Sequence, residues 1–575
     1  MSDEPPRQCK ARRGFSVFYK GKTLLSLIDP IAQGERVAKA VPLGGGILYF
    51  CPSPLYGYGI EWLLNHVSPD SALLCVELDE KLRALSRKAM EDLLKKNPAL
   101  GLVSGSGDPA QLCGWVQNTW GSRRFRRIEI LRLSGGWQLY EEQYANLADA
   151  LRRDIAIDWG NAMTLVKMGR RYIRNAIRNL ALVPQTSALR DSILGASPVL
   201  VLGAGPSLDG VLEGLHRCWG AALAENARPF KIIGVDTCLQ PLKDWNIKPD
   251  LVVALESQHW NLRDFIGMGS WEIPLAMDLS ALPATREVLG GHPWLFATPW
   301  TRLRLFKRLA SAGLLPETFP PLGSVGLTAV ALARRLSTGP IIIGGLDFAF
   351  TVDRFHARST PGHREGLQRQ TRFKSILMAE AAFRPGTGVA RSKAGLSQRT
   401  DPAMKTYRDL FEQEFAQDPR IHDIIGLGLP LGLRSLSLEE ALAVLGKGLP
   451  RGSTRVLKLR HKWEAPIAAA VDAFICRERD ALMLLRDILI GTSSQDPEIL
   501  EVLLDEGDYL WAHFPECAGA GGRRPSATDL SFLKRVRIEI DPLIKLFDLT
   551  LQEVRSYPSI RSTLEQDKIA KEVYP

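Results

Sequence analysis

The sequence predicts an α/β protein with a Rossmann-like, mostly parallel central sheet, an N-terminal Rossmann-like α/β domain and an all-α C-terminal domain. The first observation is a series of short apolar runs that alternate with helical segments, at residues 199–202, 231–235, 251–255, 275–277, 294–296 and 341–343. Strands that are apolar on both faces are typical of parallel sheets covered by helices. The second observation is that apolar residues recur at helical spacing late in the chain, as in 462–490, which favours helices there.

The length of the chain predicts several domains. Its 575 residues exceed what one hydrophobic core usually holds, because domains average about 150 residues. The pattern divides the chain into an N-terminal domain, a helical connector, a central α/β domain and a helical C-terminal domain, with bounds 1–150, 151–190, 191–385 and 386–575. The helices of the C-terminal domain have two open interpretations: they recognise a protein partner, or they cover the central sheet.

Three helix starts are marked within the C-terminal domain. Asp401-Pro402 and Asp496-Pro497 each place a capping side chain before a proline at the first helical position. Ser437 followed by Glu440 is the pattern of a capping box. Helices are therefore expected to begin at these places.

The N-terminal domain begins with a predicted hairpin and continues as a Rossmann-like pattern. Two short apolar runs within 15–24 are split at Lys20-Gly21, as in a hairpin. An apolar strand at 46–51 then leads through a glycine turn into a helix and a second strand that ends at Glu77. An acid in that position can bind ribose hydroxyls, whereas the glycines can equally serve only to make the turn tight. The structural interpretation is favoured over a cofactor site.

Composition and charge exclude several functions. The net charge of +10 (73 − 63) is spread along the chain, so nucleic-acid binding is not indicated. The densest basic stretch, 167–178, suits a solvated helix face better than an anion site. No stretch reaches the roughly 20 apolar residues of a membrane span, and the polar start has no signal-like apolar segment, so a cytoplasmic location is expected. The eight cysteines form no CxxC pair, which indicates a reduced compartment and no zinc site.

A glycine loop is the strongest functional motif. Gly203-Ala204-Gly205-Pro206-Ser207 follows an apolar strand and precedes a helix. The glycines remove side chains where backbone amides must approach an anion, and a serine there can cap the helix or donate to a phosphate oxygen. The loop lacks the lysine of a P-loop and the glycine pattern of a nucleophile elbow. It predicts nucleotide binding of another kind.

Polar residues follow three other strands of the central domain. They are Asp236 and Thr237, Glu256 and Ser257, and Asp347. Because ligands of parallel sheets bind outside the carboxyl ends of the strands, these residues are expected to converge on one crevice. Each acid alone could instead be a helix cap.

Two further elements belong to the predicted crevice. A second glycine loop with Ser324 and Gly326 precedes a helix and offers backbone amides to a phosphate. His356 follows the last apolar strand and can act as a general base near neutral pH. A structural role for this histidine is equally well supported.

The order of these motifs resembles one family. The motifs are 203–208, 234–236, Lys248-Pro249-Asp250, 323–326 and 345–348 with His356, and the resemblance to the motility accessory factor (Maf) family extends over nearly the whole chain. That family belongs to the group named after the archaeal 6-hydroxymethylpterin diphosphokinase. The resemblance implies a cytoplasmic glycosyltransferase that moves a nonulosonic, sialic-like acid from a CMP-activated donor to Ser or Thr of a protein acceptor, flagellin.

The resemblance also implies roles for individual residues. The central domain is similar to bacterial sialyltransferases, so Gly203, Gly205, Pro206 and Ser207 would line the nucleotide, with Ala204 at the position where those enzymes have Asn. Ser324 and Gly326 would bind the phosphate, and His356 would take the acceptor proton. The donor is a substrate, and no metal or other cofactor is required.

Two alternatives remain at this stage. One is an ATP-dependent diphosphotransferase acting on a hydroxymethylpterin, with Mg²⁺ held by Asp236 and Glu256 or Asp347, because magnesium favours carboxylate and phosphate oxygens. The other is a non-catalytic nucleotide-binding scaffold. Binding of CMP compared with ATP separates them.

Overall fold

The computed structural model describes residues 4–556 apart from 106, 122–123, 187–193, 225–227, 290–292, 299–302, 376–379, 448–464, 492–495 and 520–523. The chain divides into two compact units, Met1–Arg170 with Asp508–Val536, and Arg171–Gly507 with Arg537–Pro575. The last residues of the predicted connector, 187–190, lie outside the described part. No helix among the described residues is long and apolar enough to cross a membrane.

The first unit contains an antiparallel sheet and a parallel one. The antiparallel sheet consists of β1 (Arg7–Lys10), β2 (Phe15–Tyr19) and β3 (Lys22–Thr23), which confirms the predicted hairpin. The parallel sheet has the order β6-β5-β4-β7, with β4 (Ile47–Pro52), β5 (Ala72–Glu77), β6 (Leu100–Ser104) and β7 (Arg127–Ile130). The helices are α1 (Pro30–Ala40), α2 (Ile60–Leu64), α3 (Glu80–Lys96) and α4 (Pro109–Trp120), and α5 (Glu141–Asn179) begins in this unit and ends in the second. The Rossmann-like prediction for this part is therefore confirmed.

The glycine turn before α2 has a packing role. Gly59 has φ +94°, and a Cβ atom there would overlap the backbone carbonyl of Gly34 in α1. Glu77 is fully buried, and its carboxylate accepts hydrogen bonds from Ser53 Oγ (2.9 Å) and Ser86 Oγ (3.2 Å). Both observations favour the structural interpretation of this motif. Gly59 is needed for close packing, and the carboxylate of Glu77 already has hydrogen-bond partners within its own unit.

The second unit is built on a parallel sheet of nine strands, in the order β13-β12-β11-β10-β9-β8-β14-β17-β18. Its strands are β8 (Val199–Leu202), β9 (Lys231–Val235), β10 (Leu251–Ala254), β11 (Leu275–Asp278), β12 (Trp294–Ala297), β13 (Glu317–Thr318), β14 (Ile341–Gly344), β17 (Ile421–Ile424) and β18 (Arg434–Leu436). All six predicted apolar runs are strands of this sheet. The chain runs outward from β8 in one direction and returns on its other side at β14, so the topological switch point lies between these strands.

Helices and one hairpin accompany this sheet. The helices are α6 (Leu208–Trp219), α7 (Ala221–Ala224), α8 (Leu239–Asp244), α9 (Leu262–Phe265), α10 (Ala284–Leu289), α11 (Arg304–Ser311), α12 (Val325–Leu336), α13 (Pro361–Gln368), α14 (Pro402–Phe415), α15 (Leu438–Gly446), α16 (Ala465–Leu489) and α17 (Pro497–Glu506). The hairpin pairs β15 (Gly388–Arg391) with β16 (Ser397–Thr400). Two more helices follow, α18 (Pro515–Gly519) in the first unit and α19 (Leu530–Ser556).

The region predicted as an all-α domain, 386–575, differs from the prediction in its first part. Residues 388–436 contain β15 to β18, and β17 and β18 extend the central sheet. The short strand β17 carries the polar residues His422 and Asp423, so it lacks the continuous apolar run by which the six predicted strands were recognised. Helices dominate only from α15 onward.

The predicted helix starts are confirmed. The Asp401 and Asp496 side chains each cap a helix that begins with proline, and Ser437 forms the capping box with Glu440. The late helices are also tied to the sheet unit by ion pairs. Arg308 of α11 donates to Glu478 of α16 at 2.7 and 2.8 Å and to Glu506 at 2.6 Å. The helices α16 and α17 therefore form one compact unit with the sheet.

Candidate functional site

Three loops of the second unit meet at the switch point. They are the glycine loop after β8, residues 345–347 after β14, and the loop that leads into α12. The side chain of Leu346 lies between the other two loops, because a Cβ atom on Gly203 would be 2.5 Å from Leu346 Cδ2 and one on Gly326 would clash with the same atom. The structure thus brings the two predicted glycine loops together, and close packing explains these two glycines.

The backbone amides of the glycine loop are largely used within the protein. Gly203 N–H donates to Gly344 O (2.9 Å), and Gly205 N–H donates to Gly345 O (2.8 Å). Ser207 donates its N–H to Asp347 Oδ2 (2.7 Å) and its hydroxyl to Asp347 Oδ1. A carboxylate of the protein therefore occupies the N-terminus of α6, the place where the sequence pattern predicts a phosphate.

The carboxylate of Asp347 belongs to a buried polar group of residues that the sequence did not reveal. Lys393, from the loop between β15 and β16, donates to Asp423 Oδ2 at 2.6 Å. Burial raises the pKa of Asp347, and the charge of Lys393 opposes that shift. Burial also raises the pKa of Asp423 to about 6. The sequence predicted only a domain boundary at 385–386, and no strand or acid pattern marked Lys393, which is why this residue was missed.

The acids after β9 and β10 form one electrostatically coupled region. Burial raises the pKa of Asp236 to about 6, the Thr237 N–H (2.8 Å) opposes this as a donor, and the charge of Glu256 adds to it. Burial and the charge of Asp236 raise the pKa of Asp264, on α9, to about 7. The sequence pattern missed Asp264 because it lies on a short helix rather than at a strand end. Carboxylates in this setting are suited to accept hydrogen bonds from sugar hydroxyls.

The predicted polar residues do not assemble as a metal centre. No group of three or more His, Cys, Asp and Glu side chains with the arrangement of a metal site occurs among the described residues. Asp347 binds Ser207, and Glu256 Oε1 accepts the N–H of Gln258 (2.9 Å). The Ser257 hydroxyl is buried without a hydrogen-bond partner in the described part of the chain.

His356 lies beside the glycine loop. The N–H of the next residue, Ala357, donates to Ala204 O at 2.8 Å, which fixes the histidine loop against the loop after β8. An ion pair between Arg354 and Asp209 ties the same loop to α6. Burial and the nearby charge of Arg263 lower the pKa of His356 to about 4. The imidazole is thus neutral at pH 7 and available as a proton acceptor.

The start of α12 is the remaining candidate for an anion. Ser324 is its N-cap, has extended backbone dihedrals and makes no side-chain cap hydrogen bond. Gly323 has φ +72°, and a Cβ atom there would be 2.9 Å from the ring of Tyr407. The loop that leads into α12 therefore requires glycine at position 323, and the first backbone amides of α12 follow this loop directly. It lies next to the loop that carries Asp347.

The C-terminal part of α5 forms hydrogen bonds with two loops of the crevice. Asn175 Nδ2 donates to Ser257 O (3.2 Å) and Ser280 O (3.0 Å), and Asn179 Nδ2 donates to Leu279 O (2.9 Å). These bonds hold the loops after β10 and β11. The arginines of the predicted basic stretch, Arg170, Arg171, Arg174 and Arg178, are exposed, as expected of a solvated face.

Comparisons with known proteins agree with this architecture. Residues 170–353 match the family described as 6-hydroxymethylpterin diphosphokinase MptE-like. An uncharacterized protein of Treponema pallidum (strain Nichols) is 29% identical over 563 residues, which cover 94% of this chain and 95% of that protein. The structure of the Maf glycosyltransferase from Magnetospirillum magneticum AMB-1 matches 99% of this chain and 96% of its own, with a TM-score of 0.51 and 14% identity.

The part of the chain that carries the switch-point crevice, residues 170–353, is thus similar to the MptE-like family. Over nearly the whole chain the fold is similar to that of the Maf glycosyltransferase, so the resemblance to the Maf family and the MptE-like group is confirmed. At 14% identity this likeness concerns the fold.

Proposed function

We propose that the chain is a cytoplasmic glycosyltransferase that moves a nonulosonic acid from a CMP-activated donor to a serine or threonine hydroxyl of a protein acceptor, with flagellin as the first candidate. The observation that carries the proposal is the position of His356. The loop that carries His356 is fixed against the glycine loop at the switch point of the sheet by the bond from Ala357 N–H to Ala204 O, and the imidazole is neutral. The Maf-type fold over the whole chain supports the same class of reaction.

His356 would take the proton of the acceptor hydroxyl. Its low pKa keeps the imidazole unprotonated in the absence of ligand. A bound anionic donor would favour the imidazolium form, because a nearby negative charge stabilises the protonated ring. The histidine would therefore become a better base when the donor is in place.

The donor would extend across the crevice from the strand ends to α12. Asp236, Thr237 and Glu256 would accept or exchange hydrogen bonds with ribose hydroxyls, and the buried Ser257 hydroxyl would be a further partner. The phosphate would face Ser324 and the first amides of α12, because the N-terminus of α6 is already occupied by Asp347. Ala204, Gly205 and Pro206 would contact the nucleotide through backbone atoms, and CMP would leave as a stabilised anion.

A diphosphotransferase is the second candidate, since the family matched by 170–353 is described by that activity. Its Mg²⁺ would have to be bound by Asp236 and Glu256 or Asp347, which do not form a metal site among the described residues. Isothermal titration of the purified chain with CMP and, separately, with ATP and Mg²⁺ tests both proposals. Micromolar binding of CMP with weak binding of ATP supports the glycosyltransferase, and the reverse order supports the diphosphotransferase.

A further inference from the structure

Lys393 is a buried lysine beside the candidate site that no step above uses. Its side chain is 4% exposed, and its partner Asp423 is 2% exposed. A buried ammonium group is costly unless it is paired, so the loop between β15 and β16 must hold this lysine in a defined place. Asp423 lies on β17, the strand next to β14.

The charge of Lys393 also acts on a second carboxylate. Burial raises the pKa of Asp347, and the charge of Lys393 opposes that shift. Asp347 in turn accepts the N–H and the hydroxyl of Ser207. Lys393 is therefore bonded to Asp423 and acts through its charge on Asp347, which is bonded to Ser207 at the start of α6.

Backbone packing fixes the relative positions of Lys393, Asp347 and Ser207. Lys393 N–H donates to Gly428 O at 2.8 Å. A Cβ atom on Gly428 would be 2.6 Å from Asp347 Cα, and one on Gly426 would be 2.9 Å from Ser207 Cβ. Only glycine fits at these two positions, so the loop after β17 holds Lys393, Asp347 and Ser207 together.

We propose that Lys393 is a positioning residue of the candidate site, whose ammonium group, anchored by Asp423, holds the Asp347 carboxylate against Ser207. The glycine loop carries no lysine of its own, and the hairpin supplies one from a distant part of the sequence. The link to donor binding rests on the proposed function, whereas the link between Lys393 and Ser207 does not. Charge-assisted hydrogen bonds are the stronger class, so losing the charge of Asp347 would loosen Ser207.

Amide hydrogen exchange in the full chain tests the structural link. In Lys393→Met, the peptide that contains Ser207 should exchange roughly tenfold faster, because its N–H loses a charge-assisted acceptor. The matched control is Lys231→Met, which removes a buried lysine paired with Asp250 (3.1 Å) at the amino end of β9. The control should leave exchange at Ser207 unchanged, and Lys393→Arg should restore most of the protection.

Unchanged exchange at Ser207 in Lys393→Met, or an equal increase in Lys231→Met, would overturn the proposal. If Lys393→Met is insoluble, Asp423→Asn is measured instead, and it must also speed exchange at Ser207; no change there overturns the proposal equally. CMP titration adds the functional arm. Lys393→Met should weaken CMP affinity by roughly tenfold and Lys393→Arg by much less. If the unaltered chain binds no CMP, the proposed function fails while the exchange result still decides the positioning role.

Discussion

Ser207 and Asp347 are separated by 140 residues in the sequence and are joined by two hydrogen bonds, from the N–H and from the hydroxyl of the serine. This relationship gives the N-terminus of α6 an internal anion. It also connects the loops after β8 and β14 on the two sides of the switch point. The glycine loop is therefore a preorganised wall of the crevice, shaped before any ligand arrives.

Gly205→Val is expected to abolish CMP binding through Asp347. A Cβ atom on Gly205 would be 2.5 Å from Asp347 Oδ2, so the carboxylate must move away from Ser207. Overpacking of this kind costs about 1–3 kcal/mol of unfolding free energy. Calorimetry with CMP and urea denaturation measure the two effects. The control is Gly210→Ala on α6, where an added Cβ atom would have no described atom within 4 Å outside its own helix turn. This variant should bind CMP normally. Normal CMP affinity in Gly205→Val would show that the loop assignment is wrong.

The N-terminal unit is expected to bind no S-adenosylmethionine. The acid that a Rossmann-like site would use for ribose hydroxyls is Glu77, which is fully buried and bonded to Ser53 and Ser86. No carboxylate oxygen of Glu77 is thus exposed to a ligand. Isothermal titration with S-adenosylmethionine should give no heat of binding above dilution. A micromolar dissociation constant would contradict the structural interpretation of this motif.

Glu77 should make stability depend on pH. Burial raises its pKa from the usual 4.5 to about 7, so between these values the folded state binds a proton that the unfolded state has released. The contribution of Glu77 to the free energy of unfolding is therefore full below pH 4.5 and is lost as the pH rises through about 7. Urea denaturation at several pH values should show this decrease in the unaltered chain and a flatter dependence in Glu77→Gln. If the free energy of unfolding falls with pH equally in the unaltered chain and in Glu77→Gln, the assignment of this pH dependence to Glu77 is wrong.

Removal of the late helices should destabilise the sheet unit. The ion pairs of Arg308 with Glu478 and Glu506, and of Arg286 with Glu553 at 2.5 Å, connect these helices to the central part of the same compact unit. A chain ending at residue 451, itself outside the described residues, should be insoluble or fail to bind CMP. A soluble truncated chain that binds CMP yet no longer captures flagellin would instead support the interpretation that the helices recognise the acceptor.

Much of the fold could be predicted from local sequence. Which side chains of the protein bind one another in the candidate site could not. Each predicted strand of the central sheet was a continuous apolar run, and Asp236 and Asp347 were predicted at strand ends because parallel strands share one edge. Strand β17 was missed because two of its four residues, His422 and Asp423, are polar. The roles of Lys393 and Asp347 depend on side chains that meet only after the hairpin and the sheet have formed. No local pattern carries that information.

The most direct test of the central claim is a transfer assay with CMP-activated nonulosonic acid and purified flagellin, followed by mass spectrometry of the acceptor. The unaltered chain should add the mass of the sugar to a serine or threonine. His356→Ala should lower turnover by roughly a hundredfold or more while CMP affinity stays nearly constant. His363→Ala, a half-buried histidine on the neighbouring helix α13, should keep its activity. Unchanged turnover in His356→Ala would return this histidine to a structural role, and no transfer by the unaltered chain would contradict the proposed function itself.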